Sequence, residues 1–504
     1  MHDNRFDAVI VGGGPAGSSA AHLLAKWGHS VLLITKTEPD GPTLAESLPP
    51  SCRKLFTVLG MLDAIDQAGF YRTRGNTVWW GESDKRSENF ADGVTGYQVV
   101  RRDFDRLLLE LAETAGAQVQ RNSRVRQVRA PDLPDSMFRQ IEYEDARSER
   151  VVVNAKFTLD CSGRAGVIAR QGFRKHERTH STVALVGIWR SPDGWGLEDE
   201  THTLVETYAD GWAWSVPVSP SIRYITVMVD PRVTALERGE HLEHLYRAEL
   251  SKTRQFSELT VKSTLQNSPW GCDASLYCAH KYAGPRALLV GDAASFIDPL
   301  SSFGIKKALA SAWLAAIVVN TSMVKPDMET TAVDFFSMRE QHMYRSYLKQ
   351  STEFFHEAAS GHPHPFWTGR ATMIDAGATE EDIDIDELRR DPTVLAAFEA
   401  LKRSPSIKLQ PTKQSHIDKR PSVLEREVIL EDRLITDSLP SGSSGVRFLR
   451  GVDLPALVRI AGSHNQVPDL FDAYNRIHKP VILPDFLGAL SVLLAKHILK
   501  NDAF

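Results

Sequence analysis

The sequence predicts an α/β fold. A parallel-sheet domain of βαβ units comes first, an antiparallel β-sheet is inserted into it, and a small helical module ends the chain. Three observations predict this. The first 34 residues read strand, glycine turn, helix, strand. Thr203–Val229 alternates apolar and polar positions and is rich in aromatics, the pattern of an antiparallel sheet. Beyond about residue 325 the pattern turns helical.

Each element follows in order. Phe6–Val11 is short, apolar and β-rich, Ser18–Trp27 reads as a helix, and Ser30–Ile34 reads as a second strand, which together make a βαβ unit. Asp103–Ala115 sets its leucines on one helical face. Arg124–Arg129, Val151–Asp160 and Ser181–Trp189 read as strands, and Ala287–Val290 as a short strand that runs into Gly291-Asp292. A long helix begins near Ile305. Residues 1–325 therefore form one domain, with the inserted sheet at about 175–285. Residues 326–402 read as a helical region, with Thr330–Phe355 as its helix. Its acidic run Glu380–Glu387 is either a solvated face or a patch for a basic partner. Residues 403–446 are rich in Ser, Pro, Lys and Gly and read as a loop or linker. Residues 447–504 form a module of helical or winged-helix type. It either caps the main domain or docks a peptide or protein.

Composition narrows the function classes. Of 504 residues, 59 are Lys or Arg and 64 are Asp or Glu, a net charge of −5, which argues against a nucleic-acid binder. Four cysteines cannot form a disulfide framework. They form no CxxC, and no Cys/His cluster has zinc spacing, so no metal site is expected. The N-terminus runs straight into a strand without a signal peptide, so the expected compartment is the cytoplasm. The apolar run Ala308–Val319 is shorter than a bilayer span and reads as a buried helix.

The chemistry begins at Gly12-x-Gly14-x-x-Gly17. The first glycine permits a tight turn, the second lets backbone approach a pyrophosphate, and the third allows close helix–strand packing. The helix opening at Pro15 and Ala16 points its positive end at the phosphates. The alternative is a glycine-rich turn without a ligand. The acidic residue that usually ends the second strand of this fingerprint is replaced by Thr35 and Lys36, so ribose recognition falls to them.

A second nucleotide signal, Gly291-Asp292, lies about 280 residues downstream. VIVGGGPAGSSAA, the Arg102/Asp105 pair of VVRRDFD, LDCSGRAG and LLVGDAASFIDPL occur in one order over about residues 5–325. In this ordered set the chain resembles FAD-dependent monooxygenases of the hydroxybenzoate-hydroxylase type. The resemblance implies a Rossmann-like FAD-binding domain carrying an antiparallel substrate sheet. It also implies that Asp292 holds a ribityl hydroxyl of FAD and that Arg102 lies near the flavin phosphates.

Within that family the chain looks most like the flavin-dependent halogenase branch. Trp212-Ala213-Trp214-Ser215-Val216-Pro217 matches the branch's WxWx(I/V)P pattern, which there keeps the organic substrate away from the flavin. Spaced by two, Trp212 and Trp214 share one face of a strand, and a pair of core aromatics is the alternative. Ala45-Glu46-Ser47 resembles the branch's Gly-Glu-Ser segment. The resemblance puts Ser47 among the cofactor contacts and Glu46 at the substrate's ring nitrogen. Lys54 is the candidate for the lysine that handles hypohalous acid, or else a solvated lysine. After Gly-Asp the tryptophan halogenases carry Pro-Leu-Glu-Ser-Thr-Gly, where this chain has Pro299-Leu300-Ser301-Ser302-Phe303-Gly304. The catalytic Glu is thus absent, while a chloride site on backbone N–H groups of Ser302–Gly304 survives. The AESLPP segment, this stretch without its Glu, and the added C-terminal module resemble halogenase-like flavoproteins that hydroxylate tryptophan within a partner protein during quinone-cofactor maturation.

The resemblance implies an FAD-dependent monooxygenase that uses reduced FAD and O2 to hydroxylate an electron-rich ring, an indole first, free or in a protein. Lys54 would polarise the attacking oxygen. No second GxGxxG is present, so the reductant is a separate flavin reductase or NAD(P)H bound without that motif. Three alternatives stay open. One is a halogenase of tryptophan or a phenol. Another is a reductase of isoprenoid double bonds, against which WAWSVP speaks. The last is a flavin-carrying binding protein without turnover.

Overall fold

A computed structural model describes residues 4–38, 40–81, 85–129, 138–176, 180–232, 234, 240–373, 385–403, 406–439 and 445–502. The chain divides into two compact units, Met1–Ala376 and Gly377–Phe504. Most of the acidic run Glu380–Glu387 lies outside the described residues.

The first unit is built on a sheet whose core strands are all parallel, in the spatial order Ala287–Leu289, Arg150–Asp160, Arg5–Val11, Val31–Ile34, Gln118–Gln120. Arg5–Val11 is central and its last four residues are buried, as expected for a parallel strand covered on both faces. Parallel strands deliver their carboxyl ends to one edge. The turn after Val11 and the turn after Leu289, 278 residues later, therefore emerge at the same edge, with only the strand Arg150–Asp160 between them. The helix Pro15–Lys26 packs on this sheet, and Arg101–Thr114 and Gly304–Val324 pack against that helix. Gly304–Val324 is long and apolar enough to cross a membrane by composition alone, but 72% of its most apolar stretch is buried. It packs against Pro15–Lys26, which makes it a core helix.

The second sheet carries Val183–Arg190, Ile222–Val229, Gly211–Ser219 and Thr203–Tyr208 as antiparallel neighbours. It draws in more than the expected insertion. Gly75–Trp79 pairs in parallel with Thr203–Tyr208, and Arg86–Asn89 pairs with Gly75–Trp79, so strands from far upstream extend its edge. Alternation splits its faces. Ala213, Leu204, Ile225 and Val227 pack under Tyr246, Leu250 and Phe256. Trp212, Trp214 and Met228 face the other way. Ala45–Leu48, Gly96–Val100 and Tyr71–Thr73 form a small sheet between the two.

The second unit corrects one expectation. Ser415–Leu424 and Glu427–Thr436, within the stretch read as loop or linker, form a ten-pair antiparallel hairpin turned by Glu425 at φ 53°. Pro421 is tolerated because its strand, Ser415–Leu424, pairs along one edge only. Lys419 opposes Asp432 and Arg420 opposes Glu431, charge pairs that favour this register. The helices Leu454–Ile460, Val467–Ile477 and Leu483–Ala495 follow, their buried faces meeting in one apolar cluster.

Candidate cofactor and substrate site

The glycine turn behaves as its three roles require. Gly12 sits at φ +108°, and a Cβ there would come within 2.4 Å of the Cys161 carbonyl oxygen. A Cβ on Gly17 would lie 1.9 Å from the Gly12 carbonyl oxygen, so only glycine lets helix and strand approach this closely. Gly14 differs, because a Cβ there would find nothing nearer than 3.8 Å. The space outside Gly14 is open, at the amino end of the Pro15–Lys26 helix, which has no acidic residue in its first turn. That is a cradle for a dianionic diphosphate. Thr35 flanks it: a Cβ on Gly13 would meet Thr35 Oγ1 at 2.7 Å. Lys36 is exposed beyond it.

The second signal closes on the first. Gly291, at φ +62°, packs so tightly that a Cβ would lie 3.2 Å from the Ala16 methyl. Asp292 follows with one third of its side chain exposed. The arginine beside the cradle is Arg101, whose Nη2 is the nearest atom to a Cβ on Gly14. It donates to Asp105 at 2.9 and 3.0 Å and to Glu46 at 3.3 Å. Arg102, which the resemblance put near the phosphates, turns away. Its guanidinium donates to the Gly41 carbonyl at 2.6 Å and lies 3.9 Å from Glu38. Helical neighbours point about 100° apart, so a one-residue step changes which side chain faces the turn.

Glu46 meets Arg101. Ala45 packs on Val216 of the large sheet, and strand alternation sends Glu46 to the opposite side, onto Arg101. Burial pushes the Glu46 carboxyl above the usual range; Arg101 opposes the shift, and Asp292 and Asp105 add to it. Ser47 returns to the sheet side and accepts from Thr203 Oγ1 at 3.0 Å, with Gln98 donating to the same Thr203 oxygen. Its hydroxyl belongs to that buried network. Lys54 stands exposed on the Cys52–Leu59 helix, whose buried side is Cys52, Phe56 and Leu59. Sequence spacing alone could not show that the helix turns it to solvent.

The aromatic face is where the alternation put it. Trp212 is buried and Trp214 half-buried, their ring centroids 5.7 Å apart at 84°. Phe296 and Leu300, which follow Asp292 in the chain, pack into the same cluster, together with Phe354, Phe355 and Trp367. One short segment thus links the cofactor turn to the aromatic wall. Within it Asp298 is 4% exposed and caps Leu300 N–H at 3.1 Å. Burial pushes its carboxyl up to about 6 against the Leu300 hydrogen bond and the Arg370 charge. Pro299 opens the capped turn, Ser302 takes the left-handed conformation at φ 52°, and Phe303 caps the helix that starts at Gly304. Lys306 Nζ lies 4.6 Å from the Phe303 ring centroid. Arg101, Asp298 and the buried Lys307 were not singled out from the sequence. Arg101 and Asp298 each adjoin a named motif residue, Arg102 and Pro299, which is the signal that could have found them.

Comparison with known proteins agrees with this geometry. A family profile described as FAD binding domain matches residues 5–318. The flavin-dependent halogenase armH4 of Armillaria mellea is 31% identical over 373 residues, covering 68% of this chain and 70% of that protein. In structure, the flavin-dependent halogenase CmlS aligns over 99% of this chain and 96% of its own, with TM-score 0.75 and 21% identity. The peptidyl tryptophan dihydroxylase QhpG, essential for tryptophylquinone cofactor biogenesis, aligns over 98% and 99%, with TM-score 0.70 and 22% identity.

Proposed function

Because this chain belongs to the FAD-binding, flavin-dependent halogenase family of oxidoreductases, we propose that it is an FAD-dependent monooxygenase that hydroxylates an electron-rich aromatic ring, with the indole of tryptophan, free or within a partner protein, as its substrate. The observation that carries this reading is the aromatic wall. Trp214 and Phe296, half-buried and backed by the buried Trp212, offer flat, apolar surface suited to an indole, and Phe296 follows Asp292 in the chain by four residues. One further fact favours hydroxylation over halogenation: Ser301 stands where the tryptophan halogenases carry glutamate. The whole-chain likeness to QhpG supports extending the substrate to a tryptophan in a protein.

FAD, bound and reduced, supplies the oxygen that it draws from O2. The chain's own residues do the rest. The Gly12–Gly17 turn and the helix behind it hold the diphosphate, with Arg101 as the side-chain cation. Asp292 and Glu46 accept from ribityl hydroxyls, and Thr35 and Lys36 flank the adenosine side. Trp214, held edge-to-face by the buried Trp212, orients the ring and excludes water from it. Asp298, whose carboxyl burial pushes up to about 6 so that it is mostly ionised at neutrality, accepts the proton that the ring releases on substitution.

A second reading, halogenation of tryptophan or a phenol, is supported by armH4 and by the turn at Ser302–Gly304. There a left-handed residue leads into the amino end of a 21-residue helix, a setting suited to chloride. Mass spectrometry separates the two. Photoreduced protein is given oxygen with free tryptophan or a tryptophan-containing peptide, with and without bromide. Products heavier by one or two oxygens, regardless of bromide, support the hydroxylase. A bromide-dependent brominated product overturns it in favour of the halogenase. Adding a flavin reductase or NAD(P)H in place of light then identifies the reductant.

A further inference from the structure

We propose that Lys307, buried in the Gly304–Val324 helix, is a positioning residue that holds the Asp292 carboxylate in place for FAD, and that Glu340 on the neighbouring helix controls how much of that positive charge Asp292 receives. Lys307 is 2% exposed. Its ammonium lies 3.2 Å from Asp292 Oδ1 and donates to the Ser295 carbonyl, with Ser295 Oγ at 3.4 Å. Glu340, 6% exposed on Glu329–Gly361, faces Lys307 and Ser311. Ser311 Oγ in turn accepts from Gly291 N–H at 3.0 Å. Two arms therefore reach the Gly291-Asp292 turn from the same buried carboxyl, one through Lys307 and one through Ser311.

A buried ion pair is weak grounds for stability, since desolvation offsets its attraction. Its use here lies in the field at the cradle. Asp292 is an acidic group beside a site that must take a diphosphate with two negative charges. Lys307 cancels Asp292. While Glu340 is neutral, the Asp292, Lys307, Glu340 trio sums to zero; once Glu340 ionises, it sums to −1, and the cradle repels the diphosphate more strongly. Burial pushes the Glu340 carboxyl up to about 7, opposed by Lys307, the Ser311 hydrogen bond and Arg339. The other titratable groups facing the trio are Tyr282 and Tyr347 at Glu340, and Arg101, Glu46 and Tyr277 at Asp292. Burial raises all three tyrosines, so they stay neutral through this range.

The test is FAD binding to apoprotein, followed by quenching of flavin fluorescence at pH ~6 and ~8, on either side of the Glu340 transition. Wild-type protein is expected to bind FAD several-fold more weakly at the higher pH. Lys307→Met should weaken binding by about tenfold or more at both pH values, and Lys307→Arg should recover part of it. Glu340→Gln should bind as wild type at low pH and lose the pH difference. Lys307→Met binding FAD as wild type, with its circular dichroism unchanged, would overturn the proposal. So would a wild-type pH difference retained in Glu340→Gln, an isosteric variant that serves even if Lys307→Met does not fold.

Discussion

Arg101 and Arg102 are adjacent, yet they face different chemistry, and the pair tests the cofactor cradle residue by residue. Arg101→Gln removes the cation beside Gly14 and leaves Asp105 and Glu46 without their counter-charge. A charge-assisted contact of this kind is worth about 1.5–3 kcal/mol, so FAD affinity should fall by at least about tenfold. Arg102→Gln, which touches Gly41 and Glu38, should change FAD affinity by less than about twofold. Glu46→Gln should also weaken FAD binding, as expected of a residue on the cofactor side. If it left binding intact and slowed turnover, Glu46 would return to the substrate. Asp298 makes a prediction of a different form. Its folded pKa is raised to about 6, so as a base it works only when ionised. Turnover of the photoreduced enzyme with a tryptophan peptide should rise with pH through about 6. Asp298→Asn should flatten that limb without loosening FAD. The sequence carried the residue types of this site but not their facing. A motif names a neighbourhood, and the 100° step between helical neighbours or the alternation of a strand decides which member points in. Lys307 and Glu340 lie 33 residues apart on two helices, so no local pattern could have joined them.

Elements were legible where the backbone rule was local. The glycine turn announces a βαβ unit because each glycine answers a separate steric demand. That separation can be measured. Gly17→Ala places a methyl 1.9 Å from the Gly12 carbonyl oxygen, so the helix must move off the strand. Its apoprotein should lose thermal stability, by roughly 2 kcal/mol or more, as overpacked sites do. Gly14→Ala meets nothing within 3.8 Å and has an ordinary φ of −79°, so its apoprotein should melt as wild type and yet fail to bind FAD. Calorimetry and fluorescence quenching on the two variants give opposite patterns if the open side of Gly14 is the diphosphate seat. A Gly14→Ala protein that binds FAD normally would remove it from the cradle. The hairpin Ser415–Thr436 was illegible for the complementary reason. Its Ser, Lys and Pro content resembles a linker, and the register rests on cross-strand charge pairs rather than on apolar alternation. The edge strands Gly75–Trp79 and Arg86–Asn89 join a sheet whose other members lie more than 90 residues away, a pairing that periodicity does not record.

At the scale of the molecule, the cofactor cradle and the aromatic wall fall in one of the two compact units. Every residue of the cradle and of the aromatic wall belongs to Met1–Ala376. Gly377–Phe504 holds a core of its own. Its buried cluster, from Leu388 through Val452, Leu457, Leu470 and Phe486 to Leu499, draws all its members from that unit. A chain segment of this size, with a closed apolar core, is large enough to fold cooperatively by itself. FAD stabilises only what binds it. At a free concentration of about 100 times Kd, it should add about 2.7 kcal/mol to the first unit and nothing to the second. Scanning calorimetry of the intact chain should therefore show two transitions, with FAD raising one by a few degrees and leaving the other in place. Lys307→Met should shrink the FAD-induced shift without moving the second transition. A single transition that FAD shifts as a whole would mean that the units unfold as one, and stabilisation of the cradle would then reach the C-terminal helices as well.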